Sequence, residues 1–323
     1  MNKVSVIGCG VVGSSWALVF ARAGFQVSVF DPSQSSIDRA IGRVMKWASE
    51  LEPVGLLQGQ TTEQIFALLK PSTTLEEALY EADYVQESAP EKVETKRDLY
   101  KKLNSIARED AVLASSTSGL PASVFSRDVG GRDRVIVAHP INPPHLVPLV
   151  EIVPAPWTSS GVIEQTEELM RRVGQVPIVL RREINGFIVN RLQSAVLSEA
   201  FRLIEDGICS VKDVDAAMAD GLGLRWCLMG PFETIDLNAE KGIVDYCMKL
   251  GPMFYELASE QARPRHWSND LVAMVEYQRR KITPADGLEA RKSWRDRCLA
   301  AILRAKLDIL QKYGQLNSPK PRI

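Results

Sequence analysis

Apolar positions along this chain change their period near residue 183. Before it, short β-branched runs stand at 3–7, 25–30, 83–87, 111–114, 135–138, 149–153 and 176–180. They are too short for helices and rich in residues that suit a pleated surface. Amphipathic stretches separate several of them, at 14–23, 94–108 and 162–173, and 33–80 reads as helices with a loop around Pro53-Val54-Gly55. Repeated β-α-β order predicts an α/β domain with a doubly wound parallel sheet.

Beyond Arg182 the helical period takes over. Residues 186–204 read as one long helix, apolar on most faces and therefore buried, in part against a second subunit. Asp206-Gly207 ends it, and Ser210-x-x-Asp213 has the form of a cap for the next helix. Breaks are expected at Gly221-Leu222-Gly223, Gly230-Pro231, Pro252, Pro264 and Pro284. A last amphipathic helix carries Leu299, Ile302, Leu303, Leu307 and Leu310, and a polar tail starts at Asn317. The expected division is an α/β domain, 1–183, followed by an all-α domain, 184–323, which matches the prior of about two domains for this length.

Composition removes several classes of function. With 39 basic and 40 acidic residues the chain has no electrostatic footprint for nucleic acid or an anionic membrane. At 45% hydrophobic it can build a sizeable core. Five cysteines, odd in number and without metal-like pairing, read as reduced thiols of a cytoplasmic protein with no metal site. The apolar N-terminus has the outline of a signal peptide, but Gly8, Gly10 and Gly13 interrupt it, and no later run is long enough to span a bilayer.

Those glycines carry the first chemistry. Gly8-Cys9-Gly10-Val11-Val12-Gly13 joins a strand to a helix, and a second strand ends at Asp31. Gly8 permits the tight turn, Gly10 lets backbone approach a pyrophosphate, and Gly13 lets helix and strand pack closely. The helix N-terminus, around Val11 and Val12, offers free N–H groups and a positive dipole end. Asp31 would accept the adenosine ribose hydroxyls and repel a 2′-phosphate, and Pro32-Ser33 offers no arginine to hold one. The cofactor read from this Rossmann-type segment is NAD. Ser115-Ser116-Thr117-Ser118-Gly119 follows another strand, at the edge where such sheets bind ligands. His139 ends the strand-like run 135–138, a proline-rich loop follows, and Glu151 lies in the next run. A carboxylate beside an imidazole fixes its tautomer and favours its charged form, the arrangement of a general base. His139 capping a strand with Glu151 in solvent is the competing structural reading.

Taken in order, Gly8-x-Gly10-x-x-Gly13, Glu91 with Lys96, Ser118, His139-Pro140-x-Asn142-Pro143, Glu151 and Gly186-Phe187-x-x-Asn190-Arg191 resemble the 3-hydroxyacyl-CoA dehydrogenase superfamily over nearly the whole chain. Gly221-Leu222-Gly223-Leu224-Arg225-Trp226 and Glu289-Ala290-Arg291-x-x-Trp294-Arg295-Asp296 are similar to its lambda-crystallin / L-gulonate 3-dehydrogenase branch, with carnitine dehydrogenase as the nearest competitor. The resemblance implies that His139 takes a proton from the substrate hydroxyl while Glu151 orients it. It implies that Ser118 and Asn190 hold the substrate oxygen, that Glu91, Lys96 and Asn142 contact the dinucleotide, and that the helical domain forms a homodimer.

Two departures bear on the substrate. Family members that use CoA carry basic residues in a helical hairpin of the first domain, and 47–69 here contains no Lys or Arg. Arg225 also stands where acyl-CoA enzymes have a proline-containing turn, and a guanidinium can bind a free carboxylate with two parallel hydrogen bonds. The expected activity is NAD-dependent oxidation of a small free L-3-hydroxy acid, L-gulonate first among candidates. Arg225 pairing with Glu233 or Asp236 is the structural alternative. Rival functions are a 3-hydroxyacyl-CoA dehydrogenase, a carnitine dehydrogenase with a cage drawn from Trp226, Tyr255, Trp267 and Trp294, and a non-catalytic crystallin-type structural role.

Overall fold

A computed structural model describes residues 1–314; the polar tail expected from Asn317 lies outside them. The described chain forms two compact units, Met1–Val189 together with the residues from Arg295 onward, and Asn190–Trp294.

In the first unit eight strands form one sheet: β1 Lys3–Ile7, β2 Gln26–Phe30, β3 Leu69–Pro71, β4 Tyr84–Glu87, β5 Val112–Ser115, β6 Val135–Pro140, β7 Leu149–Pro154 and β8 Val176–Val179. Their order is β3-β2-β1-β4-β5-β6-β7-β8. Neighbours are parallel except β6 and β7, which are antiparallel. Successive side chains of a strand point to opposite faces, and both faces are covered. Tyr84, Val112, Ala114, Ile136 and Ala138 join Trp16, Phe20 and Val44 in one core. Val85, Leu113, Val135 and Val137 join Tyr100, Leu103 and Phe125 in the other. Buried runs of this kind are what a parallel sheet between two helical layers requires.

The helix α1, Val11–Arg22, follows β1, and α2, Gln34–Leu51, follows β2. β3 departs from the all-helical reading of 33–80. It has three residues, pairs only with β2 through Val27–Leu69, and ends on Pro71. A strand this short, closed by a proline at a sheet edge, leaves no alternation to detect.

The last helix, Leu288–Tyr313, enters the first unit at Arg295, where Leu299, Ala300 and Leu303 join the core around α1 and α2. A helical period says that one face is buried, not which unit buries it.

Four expectations about the helical part are corrected. No break falls at Gly221-Leu222-Gly223, where the π-helical turn Ala217–Leu222 runs straight into the helix Gly223–Trp226. The helix expected from Gly186 begins at Val189. Gly186 and Phe187 sit in the left-handed region, with φ of 73° and 51°, which interrupts any helix. That helix, Val189–Glu205, buries only Ile204, and Leu192 is 61% exposed, so most of its apolar surface is uncovered among the described residues. Pro252 does not break a helix but stands inside Gly242–Glu260, where it forgoes one intrahelical hydrogen bond. The cap at Ser210 is present: Ser210 N–H donates to Asp213 Oδ2 at 2.9 Å and Asp213 N–H to Ser210 Oγ at 3.3 Å.

Among the described residues no helix is long and apolar enough to cross a membrane. Cys9, Cys209, Cys227, Cys247 and Cys298 are free thiols.

Candidate active site

The sheet order reverses between β1 and β4, and the glycine loop lies at the carboxyl end of β1, the switch point where open α/β sheets bind ligands. Gly8 has φ of 99°, and a Cβ there would fall 2.7 Å from the Ser88 carbonyl. A Cβ on Gly13 would come within 1.9 Å of Gly8 O. At Gly10 an added Cβ would meet nothing within 4 Å, and no side chain caps α1 at that residue. Bare backbone and an uncapped helix start are what a pyrophosphate needs, so the residues fit the dinucleotide. Asp31, just past β2, accepts from Cys9 N–H at 2.9 Å and Ser33 N–H at 3.0 Å. Its half-buried carboxylate therefore also ties the loop to the second strand.

His139 and Glu151 face each other in the register of β6 and β7. Residues opposite one another in an antiparallel pair share a face of the sheet. His139 Nδ1 lies 2.7 Å from Glu151 Oε2, and both side chains are buried. Glu151 Oε1 accepts from Ile188 N–H at 2.7 Å and Val189 N–H at 3.0 Å. The left-handed pair Gly186-Phe187 makes the turn just before these two donors, and the Phe187 ring packs 5.5 Å from the imidazole. Burial raises the Glu151 carboxyl, but the His139 ring and the two N–H groups outweigh it, so its pKa falls below the usual value. Glu151 is thus ionised at neutral pH and can only accept, which places the proton on Nδ1 and leaves the Nε2 lone pair for chemistry.

The other two histidines differ. His145 is buried, stacks on Trp47 with centroids 4.5 Å apart, and shares a hydrogen bond between Nδ1 and Ser15 Oγ at 2.6 Å. Burial, with Arg22 and Arg295 nearby, lowers its pKa to about 3. It stays neutral and fastens the proline-rich loop onto α1. His266 is exposed in the second unit. Asn142 is exposed in the proline-rich loop, before a cis peptide to Pro143.

Glu91 and Lys96 form a network around the loop after β5. Glu91 Oε1 accepts from Thr117 Oγ1 at 2.5 Å, Ser118 N–H at 3.0 Å and Gly119 N–H at 3.1 Å. Ser118 itself is exposed. Lys96 is fully buried: its Nζ is 2.8 and 3.0 Å from the two Glu87 carboxylate oxygens and 3.6 Å from Glu91 Oε2. Glu87, which sequence reasoning passed over, ends β4 and also accepts from Ser115 Oγ and Ala89 N–H, each at 2.6 Å. Burial raises the Glu91 carboxyl, but the Thr117 hydroxyl, Lys96 and the N–H groups of Gly119 and Leu120 together hold it below the usual value.

Asn190 opens the second unit, one residue into the helix Val189–Glu205. Arg225 lies in the same unit, in the short helix Gly223–Trp226 that follows a π-helical turn, Ala217–Leu222. Gly223 is needed there because a Cβ would meet Met218 O at 2.7 Å. Arg225 is exposed, and among the described residues no carboxylate, Glu233 and Asp236 included, lies within ion-pair distance of it.

A glycine loop fit for a dinucleotide and a doubly wound sheet define an NAD-binding domain, and the family match that follows makes the protein an NAD-dependent dehydrogenase acting on a CH–OH group. Residues 3–184 match the 3-hydroxyacyl-CoA dehydrogenase, NAD binding domain, and 186–284 match the 3-hydroxyacyl-CoA dehydrogenase, C-terminal domain. The chain belongs to the 3-hydroxyacyl-CoA dehydrogenase family. Lambda-crystallin of Oryctolagus cuniculus is 39% identical over 308 residues, 94% of this chain and 96% of that one. L-carnitine dehydrogenase of Streptomyces griseus is 36% identical over 253 residues, 78% of this chain and 74% of its own. Among solved structures, 3-hydroxybutyryl-CoA dehydrogenase of Escherichia coli superposes with a TM-score of 0.65 at 32% identity, covering 79% of this chain and 53% of that one.

Proposed function

We propose that this protein oxidises the 3-hydroxyl of a small free L-3-hydroxy acid, L-gulonate first among candidates, with NAD as hydride acceptor. His139 takes the hydroxyl proton on Nε2 as hydride leaves the same carbon. Glu151 holds Nδ1–H and stabilises the imidazolium that results. Ser118 and Asn190 hold the substrate oxygen, and Asn142, Glu91 and Asp31 serve the cofactor.

The observation that carries the free-acid reading is Arg225, an exposed guanidinium with no carboxylate partner among the described residues. The stretch 47–69, without Lys or Arg, agrees with it, since a CoA 3′-phosphate would lack a cation there. Two of the four aromatics considered for a quaternary-ammonium cage are engaged elsewhere: Trp267 stacks on Phe201 at 4.1 Å, and Arg291 covers Trp294 at 3.5 Å. NADH absorbance with L-gulonate, L-3-hydroxybutyrate, L-carnitine and 3-hydroxybutyryl-CoA tests the reading directly. Turnover only with the thioester would overturn it.

Arg225→Met removes charge-assisted hydrogen bonds worth roughly 1.5–3 kcal/mol each. At about 1.4 kcal/mol per tenfold, kcat/KM for the free acid should drop at least tenfold. Arg225→Lys should recover part of this, keeping charge without the planar fork. Equal losses for the thioester and the free acid would make Arg225 structural.

A homodimer through the helical unit belongs to the same proposal. Phe232, Met248 and Tyr255 are each about three-quarters exposed in the single chain, at 75%, 76% and 76%, an apolar load that soluble monomers seldom carry. Sedimentation as a monomer at micromolar concentration would remove it.

A further inference from the structure

We propose that Arg43 is a positioning residue for the cofactor, supplying from α2 the positive charge that the dinucleotide pyrophosphate meets at the start of α1. This role is independent of which substrate is oxidised.

The guanidinium comes from outside the glycine motif. Its Nη2 donates to Cys9 O at 2.6 Å and to Ser14 Oγ at 2.9 Å, and its Nε reaches the same hydroxyl at 3.1 Å. Cys9 lies within Gly8-Cys9-Gly10, and Ser14 lies in the first turn of α1. The charge therefore stands against the one stretch whose bare backbone at Gly10 and uncapped helix start are shaped for an anion.

Among the described residues no acid pairs with it: both partners are neutral oxygens, and no carboxylate lies within ion-pair distance of Arg43. Another cation, Arg39, stands one turn earlier on α2 and, with burial, disfavours the charge on Arg43. Arg43 is partly buried, and a partly desolvated cation without a counter-ion is a standing cost that an arriving anion relieves.

The opposite charges around Cys9 divide the labour. Asp31 holds the Cys9 N–H while Arg43 holds the Cys9 carbonyl. The acid faces the end where ribose hydroxyls are recognised; the base faces the end where phosphates lie. An alternative is that Arg43 merely braces the loop. Bracing would serve every ligand of the loop alike, whereas a charge contact serves only those with phosphate.

The experiment is calorimetric titration of NADH, ADP and adenosine into the wild type, Arg43→Gln and Arg43→Lys across a salt series. Loss of one charge-assisted contact predicts NADH and ADP about tenfold weaker in Arg43→Gln. Adenosine, with no phosphate, should change by less than about twofold, and the salt dependence of ADP binding should flatten. Arg43→Lys, which keeps the charge, should stay within about threefold of wild type for ADP. The proposal is overturned if ADP binds Arg43→Gln as it binds wild type, if adenosine loses as much as ADP, or if Lys is as poor as Gln. Should Arg43→Gln not fold, Arg43→Lys decides alone: ADP binding more than about tenfold weaker than wild type at low salt overturns it.

Discussion

His139→Asn is expected to lower turnover by about 10²–10⁴, the contribution usual for general acid–base catalysis, while NADH affinity stays near that of the wild type. The size follows from what is lost. Nε2 is the only imidazole nitrogen free to take the substrate proton, because Nδ1 is committed to Glu151 at 2.7 Å. Asparagine keeps an N–H donor for the buried carboxylate, so the fold should tolerate the change, and the side chain belongs to β6, away from the glycine loop after β1. Glu151→Gln should act in the same direction. If its one amide oxygen keeps the N–H groups of Ile188 and Val189, its NH2 faces Nδ1, which favours the tautomer with the proton on Nε2, and no full charge meets the imidazolium. Steady-state kinetics on the preferred substrate, beside NADH titration, reads both variants. Turnover of His139→Asn within a few-fold of wild type would sink the general-base assignment.

The pairing of His139 with Glu151 was legible because it depends on a short loop between two strands. Twelve positions separate them, and an antiparallel turn of that length can return the second strand opposite the first. The glycine loop was legible for the same reason: every element of it lies within the first 31 residues. Contacts made across the fold were not. Glu87 reads as one more polar residue at a strand end, and only the docking of the helix Val93–Ile106 on β4 and β5 brings Lys96 onto it. Arg43 looks like a solvated position of an amphipathic helix, and its reach to Cys9 spans 34 residues. The helix Val189–Glu205 failed differently. Its apolar residues gave the same signal whether the cover comes from this chain or a second copy, and periodicity carries no information on that choice.

Lys96→Met should destabilise the first unit by about 3–5 kcal/mol, the cost of breaking a buried ion pair from one side. Both side chains are essentially inaccessible, at 1% for Lys96 and 0% for Glu87. Without the ammonium, Glu87 would keep the Ser115 hydroxyl and the Ala89 N–H, but no positive charge. Glu91, 3.6 Å from the same ammonium, would lose its nearest cation while still holding Thr117, Ser118 and Gly119. The lower end of the range is therefore expected, since two hydrogen bonds to Glu87 remain. Adding Glu87→Gln should recover much of the loss, because a neutral amide has no charge to strand, and the double-mutant cycle isolates the pair. Urea unfolding without cofactor measures all three variants. If Lys96 instead serves the dinucleotide, Lys96→Met should cost less than about 1 kcal/mol without cofactor, and NADH affinity should fall. That outcome would make Lys96 a cofactor contact rather than a structural one.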